Sequence, residues 1–168
     1  MASGKKPLVR IWMHSGFLLV SGAKMSKSVG NFITLRDFLD KYPSVVFRYL
    51  VAAHHYRSPM DYSEKIVEQS RNSVFNLKQF IGKLRLARSK TESKISIAEL
   101  LKKSGDSFHQ AMADDFNTPE ALAAIFSAVN MINTEIWNLT RSEGKTVENW
   151  LVKLLETIGV ELKMPHIP

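Results

Sequence analysis

The sequence predicts a mainly α chain: a small α/β module over residues 1–63, followed by an antiparallel helical bundle over 64–168. Three observations point there. Residues 8 to about 62 are mixed in texture, with one short apolar run, Phe17 to Val20, ending in the turn residues Ser21 and Gly22. From Ser63 onward apolar residues recur every three or four positions, the spacing that lines one face of a helix. Cap and turn residues split that pattern into several helices, and antiparallel helices with inward stripes make a bundle.

Each element has its own local reason. Phe17 to Val20 reads as a strand entering a hairpin-like loop at Ser21 and Gly22. Thr34 precedes Leu35, Phe38 and Leu39 and has an acid, Asp37, three residues on, the pattern of a capped helix start. Pro43 ends that helix and suits the first turn of a second, through Val46, Tyr49 and Leu50 to about Ala53. "HHYRSPMDYS" (54–63) reads as an extended connector, because Pro59 pushes Ser58 away from helical geometry. Val67, Ser70, Val74, Leu77, Ile81 and Leu84 then form one long stripe. "TESKIS" breaks it, and Ser96 with Glu99 opens a shorter helix weakened by Gly105. Thr118 reads as an N-cap with Pro119 at the first helical position, ahead of Leu122, Ile125, Val129, Ile132, Ile136 and Leu139. "RSEGK" (141–145) reads as a loop. Thr146 opens a last helix carrying Val147, Trp150, Leu151, Leu154 and Ile158, and Gly159 stops it.

Composition narrows the function classes. The chain has 168 residues, enough for one ordinary domain or two small ones, and a net charge of +7. That excess fits a polyanionic partner such as nucleic acid or nucleotide, or a merely soluble basic protein. With no cysteine, disulfides and thiolate metal sites are excluded, as suits a reducing compartment. "MASGKKPLVR" lacks the apolar core of a secretory signal, and no run approaches the roughly 18 apolar residues of a membrane span. His14, beside Trp12 and Met13 at a strand entrance, reads as structural, and His54 and His55 have no acidic or cysteine partners at ligand spacing, so no metal site is expected.

One stretch stands out as chemistry. "GAKMSKSVGN" (22–31) puts two lysines, two serines and two glycines into ten positions. A loop with two ammonium groups and two hydroxyls can hold a triphosphate. Lysine is a compact charge on a flexible stem and can follow phosphate oxygens as they move. Ser26 and Ser28 can donate to phosphate or tie the loop to its own backbone. Gly22 and Gly30 would let it hinge, and Met25 would anchor it to the body. The alternative is a solvated basic turn.

The order of residues decides between the two. "KMSKS" (24–28) resembles the signature loop of class I aminoacyl-tRNA synthetases. Its flanks, "WMHSGFLLVSGAKMSKSVGNFITLRDFL", together with "HYRSPMDYS" and "ADDFNTPEAL", resemble the cysteinyl-tRNA synthetases in the same order, over roughly Arg10 to Leu122. The resemblance implies that residues 1–63 are a stem-contact-like module. In it Lys24, Met25, Ser26, Lys27 and Ser28 would form a mobile ATP-binding loop, with Lys27 and Lys24 as the catalytic lysines. It implies ATP with Mg in the complete enzyme, cysteine and tRNA(Cys) as further partners, a cytoplasmic setting and no membrane. Zinc is also expected in the complete enzyme, on ligands that lie before the signature loop and are absent from this chain.

The family's HIGH-type tetrapeptide does not occur here. The chain is therefore expected to be a fragment, C-terminally incomplete, inactive alone, and dependent on an N-terminal catalytic half of the same polypeptide. The long helix offers a second role. Between 65 and 90 it carries Lys65, Arg71, Lys78, Lys83, Arg85, Arg88 and Lys90 against Glu64 and Glu68. Lys78, Arg85 and Arg88 are candidate tRNA-phosphate contacts, with a solvated helix face as the alternative. Two rival functions stay open: a freestanding RNA-binding relative of the synthetases, and a cysteine ligase acting on an amino sugar.

Overall fold

The computed structural model describes residues 4, 9–26, 30–31, 33–90 and 93–163. Among these it forms three short strands and six α-helices. Strands β1 (Leu18–Val20) and β2 (Ala23–Lys24) form an antiparallel hairpin, with Leu19 opposite Lys24 and Val20 opposite Ala23. Its two-residue loop, Ser21 and Gly22, has φ of +51° and +78°, the left-handed pair that matches the twist of the flanking strands. The signature stretch thus begins on a strand.

Helices α1 (Leu35–Lys41) and α2 (Ser44–Ala52) follow. The Thr34 hydroxyl accepts from Asp37 N–H, and the Asp37 carboxylate accepts from Thr34 N–H, a reciprocal cap. The segment read as an extended connector contains a third strand, β3 (Met60–Tyr62), parallel to β1 with Leu19 opposite Asp61. Parallel pairing needs a crossover, and α1 and α2 supply it. Three residues 42 positions from their partners leave no periodic signal, so only pairing reveals the strand.

Helix α3 (Glu64–Leu86) is capped by Ser63 and buries all six predicted stripe residues plus Phe80. Helix α4 (Ile97–Ala113) runs 17 residues straight through Gly105. In α5 (Thr118–Thr134) the cap lies one residue earlier than predicted: the Asn117 side chain accepts from Glu120 N–H, placing Pro119 at the second helical position. The Thr118 hydroxyl donates instead to the His54 carbonyl. The stripe from Leu122 to Leu139 is buried, yet its end leaves the helix, since Ile136 sits in a 3₁₀ turn (Ile136–Asn138) and Leu139 follows it.

Helix α6 (Arg141–Thr157) corrects the "RSEGK" loop. Thr140 and Glu143 make a second reciprocal cap, so those five residues are the first helical turn. Gly144 looks like a breaker in sequence but is a contact residue. A Cβ there would lie 2.8 Å from the Leu84 carbonyl oxygen, so the missing side chain lets α6 sit against the end of α3.

Two apolar clusters hold the fold. The larger is built from α3, α4, α5 and α6 and reaches Tyr49 and Ala52 of α2. The smaller joins Phe38, Val46, Leu50 and Val67, with Met60 and Tyr62 of β3 packed on it. Helix α2 contributes to both, which ties the sheet to the helices.

Candidate functional site

The hairpin presents the signature stretch. Leu19 pairs with Lys24, and Met25 N–H donates to the Leu18 carbonyl at 3.2 Å, extending the hairpin by one residue. The turn is held from below: Gly22 N–H donates to Asp61 Oδ1 at 3.1 Å, and Ser21 N–H to the Tyr62 carbonyl at 3.2 Å. Lys24 is exposed, with Nζ 4.4 Å from the centre of the Phe17 ring. Met25 and Ser26 are half-buried. Lys27 and Ser28 lie outside the described residues.

Beyond them Asn31 returns to the hairpin. Its Oδ1 accepts from Ser26 N–H at 2.9 Å, and its Nδ2 donates to the Lys24 carbonyl at 3.3 Å. Neither Asn31 nor Asp61 stood out in the sequence. Asn31 had a usable signal, an Asn after a Gly in a loop, which often bonds nearby backbone. Asp61 had none.

The basic residues of the long helix divide by partner. Arg85 is engaged by Glu148 of α6, with Nη2 at 2.6 Å and Nε at 2.9 Å from Oε1. Both side chains are largely covered, at 28% and 19% exposure, so this pair binds α3 to α6. Arg88 donates to the carbonyls of Arg85 and Ala87 at the end of α3. Arg71 pairs with Glu68, and Lys83 donates to Asn133. Lys78 is half-buried and has no hydrogen bond or ion pair among the described residues.

The second and third stretches of the resemblance meet in space, through residues 58 and 59 positions apart. Tyr56 OH donates to Asp115 Oδ1 at 2.6 Å, Arg57 Nη2 donates to the same oxygen at 3.0 Å, and Arg57 Nε pairs with Oδ2. His55 stacks on Tyr56 and brings Nε2 to 3.9 Å from Asp115 Oδ2. Arg57, then Tyr56, hold the Asp115 carboxyl below its ordinary value. The hydrogen bond to Asp115, helped by desolvation, pushes the Tyr56 hydroxyl up. Asp115 and Phe116 both take φ of +54°, a left-handed pair uncommon outside glycine. On the other side the Tyr56 carbonyl accepts from Gly16 N–H at 2.7 Å, and a Cβ at Gly16 would collide with the Ser58 carbonyl. The cluster therefore joins the α4–α5 corner to the approach of β1.

Beside it opens an apolar cavity of about 630 Å³, bordered by Met13, Leu39, Phe47, Val51 and Phe116, with Arg48 and His54 at its polar positions. Leu35, Leu39 and Val51 remain 44–53% exposed there, and Ile11, Trp12, Met13 and Phe17 are more exposed still. Among the described residues no three His, Asp or Glu side chains gather as a metal site, so they do not fit the zinc implied for the complete enzyme. Nor is any described helix long and apolar enough to cross a membrane.

Comparison with known proteins places this geometry. Residues 1–72 match the family model of the class I (C) tRNA synthetase catalytic domain, and residues 107–163 match the DALR domain. Across both, the chain is 41% identical over 155 residues to the cysteine–tRNA ligase of Thermococcus onnurineus. It belongs to the cysteinyl-tRNA synthetase family. That alignment covers 88% of the chain and 32% of the relative. The cysteine–tRNA ligase of Carboxydothermus hydrogenoformans is 37% identical over 93% of the chain and 34% of its own length. The chain thus spans about a third of the curated synthetases it matches. Among solved structures, the LeuRS chain from the ternary LeuRS–tRNA–LeuAMS complex of Agrobacterium radiobacter K84 superposes with a TM-score of 0.60. The match covers 88% of this chain and 23% of that one at 17% identity, so the two share the fold.

Proposed function

We propose that this chain is the part of a cysteine–tRNA ligase that supplies the ATP-phosphate loop and a set of tRNA-facing helices, working in the cytoplasm with a catalytic half that it does not itself contain. In that reaction the carboxylate of cysteine attacks the α-phosphorus of ATP and pyrophosphate leaves; a ribose hydroxyl of the terminal adenosine of tRNA(Cys) then takes the cysteinyl group from the adenylate, releasing AMP. The contribution of residues 24–28 is positioning and charge. Lys27 and Lys24 neutralise phosphate oxygens as negative charge gathers on the departing pyrophosphate. Ser26 and Ser28 donate hydrogen bonds there, and Met25 anchors the loop. ATP would arrive with Mg. Residues 1–63 act as the loop-bearing module and residues 64–168 as the tRNA-side bundle.

The observation that carries this reading is the mounting of the signature stretch. It leaves a hairpin whose turn is held by Asp61 and whose base is held by Asn31, so the backbone that carries Lys24 is a fixed platform. The exposed apolar residues Ile11, Trp12, Met13 and Phe17 lie within the catalytic-domain match and suit docking against the rest of that domain.

ATP–pyrophosphate exchange with cysteine tests the proposal. Residues 1–168 alone should exchange at background. In the full-length enzyme Lys27→Ala should lower the exchange rate by on the order of 10²–10³-fold, as for other preorganised charge stabilisers, with a much smaller change in KM for ATP. Exchange by the isolated chain above a protein-free control would overturn the need for a second half. An unchanged rate in Lys27→Ala would make the loop a basic turn.

A further inference from the structure

We infer that Asn31 is a positioning residue of the ATP-binding loop: its carboxamide holds the backbone of Lys24 and Ser26 in one register, so that the lysines reach phosphate from a fixed base. The inference rests on the loop function proposed above. The two bonds use both ends of one planar group, Oδ1 accepting from Ser26 N–H at 2.9 Å and Nδ2 donating to the Lys24 carbonyl at 3.3 Å. An ionised aspartate has no donor for the carbonyl, and a serine hydroxyl cannot span both groups. Gly30, at φ +73°, provides the reversal just before Asn31.

The clasp falls where the hairpin ends. Antiparallel pairing to β1 holds Lys24, and Met25 N–H bonds that strand at the Leu18 carbonyl. Asn31 takes over at Ser26. The Lys24 ammonium rests over the Phe17 ring, so it must leave that ring to reach a nucleotide while its backbone stays in place. A clasp on the backbone permits this, because it fixes the stem of the loop and leaves the Lys24 ammonium free to follow the phosphates. Positioning of this kind acts on the rate: a displaced lysine still attracts ATP but meets the developing charge badly.

A double-mutant cycle in the full-length enzyme tests it, read by ATP–pyrophosphate exchange. Asn31→Ala should lower kcat by on the order of 10–10²-fold, as expected for misplacement by about 1 Å, with little change in KM for ATP. In a Lys27→Ala background the same substitution should cost only a few-fold, because the group it positions is gone. Amide exchange at Ser26 should accelerate in Asn31→Ala while the melting temperature stays near that of the parent. Asn31→Asp keeps the acceptor and loses the donor; it should fall between the two, and it carries the cycle if Asn31→Ala does not fold. Equal factors in both backgrounds, or no loss of kcat, would overturn the inference while leaving the loop function standing. No loss in Lys27→Ala itself would overturn both.

Discussion

At the scale of single residues, Asp115 accepts from Tyr56 and Arg57, residues 59 and 58 positions away, on a backbone held at positive φ. Such backbone persists only where the surroundings over-determine it. Asp115→Asn tests the charge alone, since asparagine tolerates left-handed backbone. The depressed carboxyl of Asp115 contributes stability that is fully present above its ordinary value of 3.8 and is lost as pH falls below it. The melting temperature of the parent should therefore exceed that of Asp115→Asn near neutral pH, and the gap should close as pH falls below 3.8 and through the lowered folded-state value. The gap should be small and should shrink in high salt, because the cluster is exposed. A gap independent of pH would show that the carboxylate is not held ionised by Arg57 and Tyr56.

At the scale of elements, helices α4 and α6 each contain a glycine, and the two should respond to alanine with opposite sign. A Cβ at Gly105 would meet only Trp150 Nε1, at an ordinary 3.7 Å. Gly105→Ala should therefore stabilise by about 0.5–1 kcal/mol through helix propensity. At Gly144 the new methyl would press on a backbone carbonyl that cannot turn aside. Overpacking of that kind costs about 1–3 kcal/mol, more than the propensity gain of about 1 kcal/mol. Gly144→Ala should lower the melting temperature by several degrees, at roughly 2–4 °C per kcal/mol for a chain of this size. Thermal melts of the two variants decide this, and a rise in both would mean α6 has room to slide along α3.

At the scale of the whole molecule, net charge and its placement decide the tRNA proposal. The three candidate cations are not equivalent. Arg85 is committed to Glu148, so Arg85→Gln should appear as lost stability between α3 and α6. Lys78 and Arg88 are the better probes. Lys78→Gln with Arg88→Gln should flatten the slope of log affinity for tRNA against log salt by roughly 0.7–0.9 for each phosphate contact removed. Discrimination among tRNAs should stay the same, because phosphate contacts carry no direct sequence information. Equal slopes, with folding verified by circular dichroism, would assign both charges to solvent.

The parts of this protein legible in its sequence are those set within one or two turns of chain. The stripe from Val67 to Leu84 and the cap of Thr34 with Asp37 follow from helical period and local hydrogen bonding, and the hairpin turn at Ser21 and Gly22 from their place after an apolar run. The lysine stretch stood out because the family resemblance it carries is a matter of residue order. Tertiary structure decided whatever depends on a distant partner. Met60–Tyr62 becomes a strand because β1 offers an unpaired edge. Gly144 reads as a breaker until Leu84 shows why a side chain is excluded. Arg85 reads as part of a basic face until Glu148 claims it. A hydrogen bond or close contact between groups far apart in the chain depends on where burial has brought them, and burial is settled only when the helices pack.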